Sequence, residues 1–311
     1  FFTVGMQYNK KIINFSAMTV YAGLLIFFFV VLLSDVKITT EAFSNIFNLN
    51  NFLDVNNLAP LLTVAGTIFA YFSILIISFG DFSRYVKNEQ ELKKGNLSLI
   101  LNLIIFSFLS VFIVTGSDVF LNQKFSDIDR IFTNPTDIVG KFDNIQITIV
   151  VLFFIIIASA STNLVANFIP SQYSLINFAP SILSLKSASY LIAFFGLLIA
   201  IFWLTILSQI GILSFVDTFG AFFGPLFGVM AADYYLIKNQ ELSNKDLYSI
   251  DKESAYYYSG GWHIKGVYSL ILGFIFSAST IWNTNLMFLQ SYAWIIGAFV
   301  AWITYYLLAK K

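Results

Sequence analysis

A group of polar residues interrupts one of the most apolar stretches of the chain. Three hydroxyl and two amide side chains lie in the segment FFIIIASASTNLVANFIPS: Ser159, Ser161, Thr162, Asn163 and Asn167. On a helix, positions i, i+3 and i+4 share one face, which places the carbonyl of Ala158 with the hydroxyls of Ser161 and Thr162. Oxygen ligands without a carboxylate suit a weakly bound hard cation such as sodium.

Asn167 offers an amide donor and a carbonyl acceptor side by side. That pair is complementary to the edge of a uracil-like, hydantoin-like or purine-like ring. The alternative interpretation is that these small and polar residues let helices pack closely and hydrogen-bond across their interface. The residue types alone leave both interpretations open.

A second segment, APLLTVAGTIFAYFSILIISFGDFSRYVKN, has Gly66 within an apolar run and a charged end. Glycine-interrupted spans are candidates for the broken helices that line binding sites in transporters. Phe72 could stack on a flat ligand or simply pack against other helices. Asp81 and Arg84 could form an inner gate or an ordinary local ion pair.

A third segment, FGAFFGPLFGVMAADYYLIKNQ, contains Gly220, Gly224, Pro225 and Gly228. These residues allow a helix to bend, as a gate requires, although glycines also serve close packing. No Asp, Glu, Lys or Arg lies at the centre of any apolar run. This argues against a carboxylate proton relay and for cation coordination by neutral oxygens.

The elements that carry these residues are predicted to be membrane-spanning helices. Hydrophobic residues make up 58% of the 311 residues and charged residues 11%, whereas soluble domains carry about 25% charged residues. Apolar runs of about 20 residues can cross the bilayer as helices, and barrel strands would be shorter and alternating. We therefore predict an all-α integral membrane protein with eight spans, near 14–33, 60–80, 97–115, 147–169, 187–207, 218–237, 264–281 and 288–308.

The distribution of positive charge predicts the orientation of these spans. Of the 17 Lys and Arg residues, thirteen fall on one side, and the other four are Lys37, Lys124, Arg130 and Lys141. Because cytoplasmic loops are rich in Lys and Arg, the first side and both ends of the chain are predicted to be cytoplasmic. The formal net charge of zero gives no indication of a nucleic-acid partner.

No catalytic set or bound cofactor is predicted. The chain has no Cys, no carboxylate pair inside the membrane and a single histidine, His263, at the start of a span, where an interfacial role is expected. Acid–base and metal catalysis therefore lack their usual residues. A membrane enzyme, a channel or a non-transporting membrane protein is the weaker alternative.

Three motifs, in order along the chain, resemble those of the nucleobase-cation symporter family, which includes cytosine, uracil, allantoin and hydantoin permeases. GDFSRYVKN is similar to the family's cytoplasmic motif after the sixth helix, and ASASTNLVANFIPS resembles its eighth-helix motif. GPLFGVMAADYYLIK, followed by YYYSGGW, resembles the exit of the tenth helix. The resemblance covers nearly all of the chain.

The resemblance implies helices five to twelve of a twelve-helix transporter with five-plus-five inverted repeats. Residues 1–59 would hold the last helix of the first repeat and an extracytoplasmic loop, and residues 60–238 the second repeat. Residues 239–311 would form a cytoplasmic connector and two peripheral helices. Since the chain starts at Phe1 without an initiator Met, we expect N-terminal helices of the same protein as partners.

Residue by residue, the resemblance implies that Ala158, Ser161 and Thr162 bind the cation and that Asn167 binds the substrate ring. Phe72 occupies a position where many members carry a stacking Trp, and this departure weakens any inference about one particular substrate. In GGWHIKG, many members instead have an Asn after the paired glycines.

The implied function is uptake of a nucleobase or related small heterocycle. Sodium is the expected coupling ion and a proton the alternative. A same-fold transporter of another solute, such as an amino acid, is the alternative within transport.

Overall fold

The computed structural model describes residues 6–34, 36–37, 40–41, 44, 47–48, 54–124, 145–202, 212–247, 249 and 251–310. Within these ranges the regular secondary structure is helical, without β-strands. Nine long helices are α1 (Met6–Ser34), α2 (Val55–Ile77), α3 (Glu89–Lys124), α4 (Ile145–Asn163), α5 (Ile169–Phe178), α6 (Leu185–Phe202), α7 (Ile212–Ala232), α8 (Ile264–Trp282) and α9 (Ala293–Ala309).

Shorter helical elements lie between these helices. Two are short α-helices, Phe79–Ser83 and Asn244–Leu247, and one is a 3₁₀ segment, Thr284–Tyr292. Two are π-helical turns, Leu164–Phe168 and Asp233–Ile237. Each π turn follows an α-helix directly, so the turn at Leu164–Phe168 joins α4 to α5 in one continuous segment.

Eight helical segments in the described residues are long and apolar enough to cross a membrane. Their bounds are Lys10–Leu33, Pro60–Ile77, Glu89–Ser117, Thr148–Phe178, Leu185–Phe202, Phe215–Ile237, Ile264–Trp282 and Thr284–Ala309. They confirm the predicted number and order of spans, although residues 203–207 of the fifth predicted run lie outside the described residues. The chain is therefore an integral, multi-pass membrane protein.

The chain divides into two compact units, and the first comprises Phe1–Asp54 and Asp81–Gly196. In this unit α1 packs against α3 and α4. The rings of Phe28 and Phe112 lie 4.4 Å apart between centroids, and the Tyr21 hydroxyl donates to Asn102 Oδ1 at 2.5 Å. Aromatic packing and an interhelical hydrogen bond thus join α1 to α3.

The second unit comprises Val55–Gly80 and Leu197–Lys311, with α7 packed against α2, α8 and α9. A Cβ atom on Gly224 would lie 2.3 Å from the Trp294 carbonyl oxygen, and one on Gly228 would lie 2.1 Å from that of Ala298. Because α7 is continuous through Pro225, this geometry favours close packing as the role of these glycines.

The structure corrects one expectation about α2. The helix is continuous through Gly66, and its last residue is Ile77. A Cβ atom on Gly66 would lie 1.7 Å from the Ser291 carbonyl oxygen, so the glycine admits the backbone of the 3₁₀ segment instead of breaking the helix. The break comes at Ser78, before the short helix Phe79–Ser83.

Candidate functional site

The polar group predicted to bind ligands lies at the π turn between α4 and α5. The turn, Leu164–Phe168, is closed by the N–H of Ile169, which donates to the Leu164 carbonyl. Pro170 explains the altered geometry, since it has no N–H for the Ala166 carbonyl four residues earlier and its ring crowds that carbonyl. Single π turns inside α-helices are frequent at functional sites.

Apolar side chains hold one side of this turn against neighbouring helices of the first unit. The buried cluster and the residues packed on it are Leu164, Phe168, Ile169, Ile13, Tyr173 and Ile192. The side chains of Thr162, Asn163 and Asn167 are instead exposed within the chain. The turn therefore presents a polar face from an anchored backbone.

A ladder of hydrogen bonds orients the two asparagines. Asn163 Nδ2 donates to the Ser159 carbonyl at 2.9 Å, and Asn167 Nδ2 donates to Asn163 Oδ1 at 2.6 Å. Because a backbone carbonyl can only accept, the first bond fixes which end of the Asn163 amide is its nitrogen, and the second then fixes the Asn167 amide. Asn167 consequently keeps its oxygen and one N–H for a ligand.

The predicted cation ligands are neighbours on α4. Ser161 Oγ donates to the Ala158 carbonyl oxygen at 3.0 Å, so these two oxygens lie together, and Thr162 follows directly in the chain with an exposed side chain. The same bond, from a serine hydroxyl to a carbonyl three residues earlier, is common for serines inside helices. The arrangement is thus compatible with both a cation site and ordinary helix packing.

Phe72 lies in the second unit, whereas the other predicted site residues lie in the first. Its side chain is half-buried on α2. Its ring meets that of Tyr71 edge to face, with centroids 5.2 Å apart and an interplanar angle of 81°. The structure places Phe72 in a span, as predicted, and its stacking role stays a prediction.

The predicted gating residues lie beside α5. Arg84 Cζ lies 4.3 Å from the centroid of the Tyr173 ring, and Arg84 makes no ion pair with Asp81 in the described part of the chain. The Tyr85 hydroxyl is hydrogen-bonded to that of Tyr173. Burial is the main cause that raises the pKa of Tyr85, and this hydrogen bond raises it further. The segment after α2 is thereby joined to the helix that follows the π turn.

Asp217 is a buried acid that the sequence analysis missed. It is 4% exposed, and Gln290 Nε2 donates to its Oδ2 at 2.9 Å. The predicted sixth run began at residue 218, whereas the span in the structure is Phe215–Ile237. A lone Asp one residue before an apolar run is the signal that could have identified it, because ionisable groups inside spans are default functional candidates.

A second polar cluster surrounds His263 in the second unit. The buried Tyr305 hydroxyl donates to Asp233 Oδ1 at 2.5 Å and lies 3.3 Å from His263 Nε2. The His263 ring stacks on that of Tyr258 with centroids 4.0 Å apart. His263 is the N-cap residue of α8, at the start of a span as predicted.

Comparison with known proteins identifies the family. The model of a family described as permeases for cytosine/purines, uracil, thiamine and allantoin matches residues 4–306. The chain belongs to this family. The predicted resemblance is confirmed, and the relatives of this permease-family chain are named as permeases, not enzymes.

Three relatives illustrate the similarity. The allantoin permease of Bacillus subtilis (strain 168) is 28% identical, over 78% of this chain and 48% of its own length. The putative allantoin permease of Escherichia coli (strain K12) is 26% identical, over 80% and 50%. The purine-uracil permease of Arabidopsis thaliana is 25% identical, over 78% and 41%.

The chain spans about half the length of these relatives. No solved structure matches it.

Proposed function

We propose that the protein containing this permease-family chain is a secondary active transporter that takes up a nucleobase, allantoin or a related small heterocycle. The family match over residues 4–306 is the observation that carries the proposal. The oriented amide of Asn167 supports it, because a fixed acceptor beside a fixed donor suits the ring edge of such a substrate.

Each predicted site residue has a role in this proposal. Asn167 binds the edge of the ring and Phe72 stacks on its face, while Asp81 and Arg84 act at an inner gate. Sodium is the coupling ion, bound by the Ala158 carbonyl and by the hydroxyls of Ser161 and Thr162. A proton is the alternative coupling ion.

The proposed mechanism is alternating access in a fold of two inverted repeats. Residues 60–238 form the second repeat, and residues 1–59 hold the last helix of the first. Residues 239–311 form a connector and two peripheral helices, and both ends of the chain are cytoplasmic. As the chain spans about half the length of its relatives, helices outside it supply the other half of the site.

The test is uptake by the full-length protein in proteoliposomes. A panel of nucleobases, allantoin and hydantoins is offered with sodium and with sodium replaced by choline. Saturable uptake of at least one compound, lost in choline, is the expected result. Uptake driven only by a pH gradient would contradict the sodium site, and absence of uptake across the panel would contradict the proposed substrate class.

A further inference from the structure

A cavity of about 220 Å³ lies in the second unit where α7, α8 and α9 have neighbouring ends. Ile237, Ile264 and Ala309 line it, and each is the terminal residue of a candidate span. The cavity is therefore at the boundary between the apolar spans and their polar connections. In a bilayer this boundary is the level of the lipid headgroups.

The charged groups of this cavity leave an excess of positive charge. Lys238 and Lys265 both line it, and neither makes an ion pair among the residues that the structure describes. The carboxylate of the cavity belongs to Asp233, whose Oδ1 accepts the Tyr305 hydroxyl at 2.5 Å. Two lysines thus line the cavity beside one carboxylate that is already hydrogen-bonded, and the Lys238 ammonium lies 4.4 Å from the centroid of the neighbouring Tyr256 ring.

Neutral donors add to this positive potential. No side chain caps the N-terminus of α8, which begins at Ile264 in the cavity wall, so the positive end of the helix dipole is available to an anion. Ser259 also lines the cavity. Lysines, helix N–H groups and a hydroxyl are the usual donors to phosphate oxygens.

The charged residues of the cavity shift the His263 pKa in opposite directions. Burial is the main cause that lowers the His263 pKa, and the charges of Lys238 and Lys265 lower it further, while Asp233 opposes them. An anion in the cavity would offset the two ammonium groups. Its binding would therefore favour a proton on His263.

We infer that this cavity binds a phosphate group between Lys238 and Lys265. A volume of about 220 Å³ is ample for the five non-hydrogen atoms of a phosphate. Basic pockets between helix ends are typical sites for anionic headgroups. An anionic phospholipid and a soluble phosphate compound share this chemistry, and experiment can separate the two sources. The site is independent of the transport proposed above.

The experiment uses the full-length protein in nanodiscs. The lipid arm compares phosphatidylglycerol with phosphatidylcholine of the same acyl chains and counts the lipid molecules retained, by native mass spectrometry. The soluble arm adds inorganic phosphate to discs of phosphatidylcholine alone and follows thermal stability. Lys238→Gln/Lys265→Gln is compared with Lys245→Gln/Lys252→Gln, which makes the same change of charge at exposed lysines that do not line the cavity.

Selective retention of phosphatidylglycerol supports a lipid source if the retention falls roughly tenfold in Lys238→Gln/Lys265→Gln and is unchanged in the control. Stabilisation by inorganic phosphate, lost in the same variant, supports the site with a soluble source. If neither ligand distinguishes the two double variants, the inference is wrong. If the double variant does not fold, the single variant Lys265→Gln, at an exposed position, is used for the same comparison. Neither measurement requires the protein to transport a substrate.

Discussion

At the scale of single residues, the main feature of the candidate site is the ladder that runs from the Ser159 carbonyl through Asn163 to Asn167. Asn167 could be chosen as a candidate from the sequence, because polar residues in a span are candidates for function. The orientation of its amide could not be predicted, since it depends on the hydrogen bond that Asn167 donates to Asn163 and on the π turn. We therefore expect Asn163 to position the amide of Asn167.

Asn163→Ala is expected to weaken substrate binding by the full-length protein, because it releases the Asn167 amide from its fixed orientation. Loss of one net hydrogen bond, about 0.5–1.5 kcal/mol, corresponds to roughly twofold to tenfold in affinity. Equilibrium binding of the substrate measures the effect. Asn96→Ala, at an exposed position on α3, is the matched control, and equal affinities in the two variants would contradict the positioning role.

Thr162→Ala is expected to weaken both sodium and substrate binding, because coupling between ion and substrate is reciprocal. Removal of one cation ligand is expected to raise the sodium concentration for half-maximal uptake by roughly tenfold. Sodium titrations of uptake measure this change, with Thr304→Ala on α9 as the matched substitution. Reduced expression with an unchanged sodium titration would favour the helix-packing interpretation of Thr162.

His263→Gln is expected to reduce the loss of stability on acidification. Burial lowers the His263 pKa in the folded protein, so the unfolded chain binds the extra proton first, near its ordinary pKa of about 6.5. This contribution is fully present above that pH and is lost as the pH falls through it toward the lower folded value.

Thermal unfolding from pH 7.5 to 5.5, in phosphate-free buffer and phosphatidylcholine, measures this effect. The melting temperature of the unsubstituted protein is expected to fall more steeply than that of the variant. Equal slopes would show that the folded protein does not hold this imidazole neutral. Tyr258→Phe, which keeps the stacked ring, is expected to retain the steeper fall.

At the scale of elements, the spans were predictable and their contacts were not. Eight apolar runs identify eight spans because a bilayer requires about 20 apolar residues for each crossing. Whether Gly224 and Gly228 bend α7 or pack it depends on which backbone lies opposite. That backbone is α9, about 70 residues later in the chain. The hydrophobic periodicity of the sequence likewise does not predict the π turn, although Pro170 indicates where the helix is altered.

Gly228→Ala is expected to destabilise the protein although alanine is the better helix former. Its Cβ would lie 2.1 Å from the Ala298 carbonyl oxygen, and overpacking of this kind costs about 1–3 kcal/mol. Gly196→Ala in α6, where a Cβ meets nothing within 4 Å, is the control and is expected to be neutral or stabilising. Thermal unfolding of both purified variants makes the comparison, and an equally stable Gly228→Ala would argue that α7 and α9 are not closely packed there.

At the scale of the whole molecule, the sequence predicts the orientation of the spans but not how the compact units assemble. Thirteen of 17 Lys and Arg residues fall on one predicted side, and this bias is independent of any contact between helices. The relative placement of Phe72 and Asn167, in contrast, does depend on such contacts, because the two residues belong to different compact units. Their proposed action on one substrate could therefore not be derived from spacing along the chain.

The orientation can be tested with single cysteines, since this chain contains none. Lys252 and Lys37 are both exposed and are predicted to lie on the cytoplasmic and extracytoplasmic sides, respectively. In full-length protein freed of cysteines elsewhere, Lys37→Cys is expected to react with a membrane-impermeant maleimide in intact cells. Lys252→Cys is expected to react only after permeabilisation. The reverse pattern would invert every span, and labelling of both in intact cells would contradict the predicted alternation of sides, because an odd number of crossings separates the two positions.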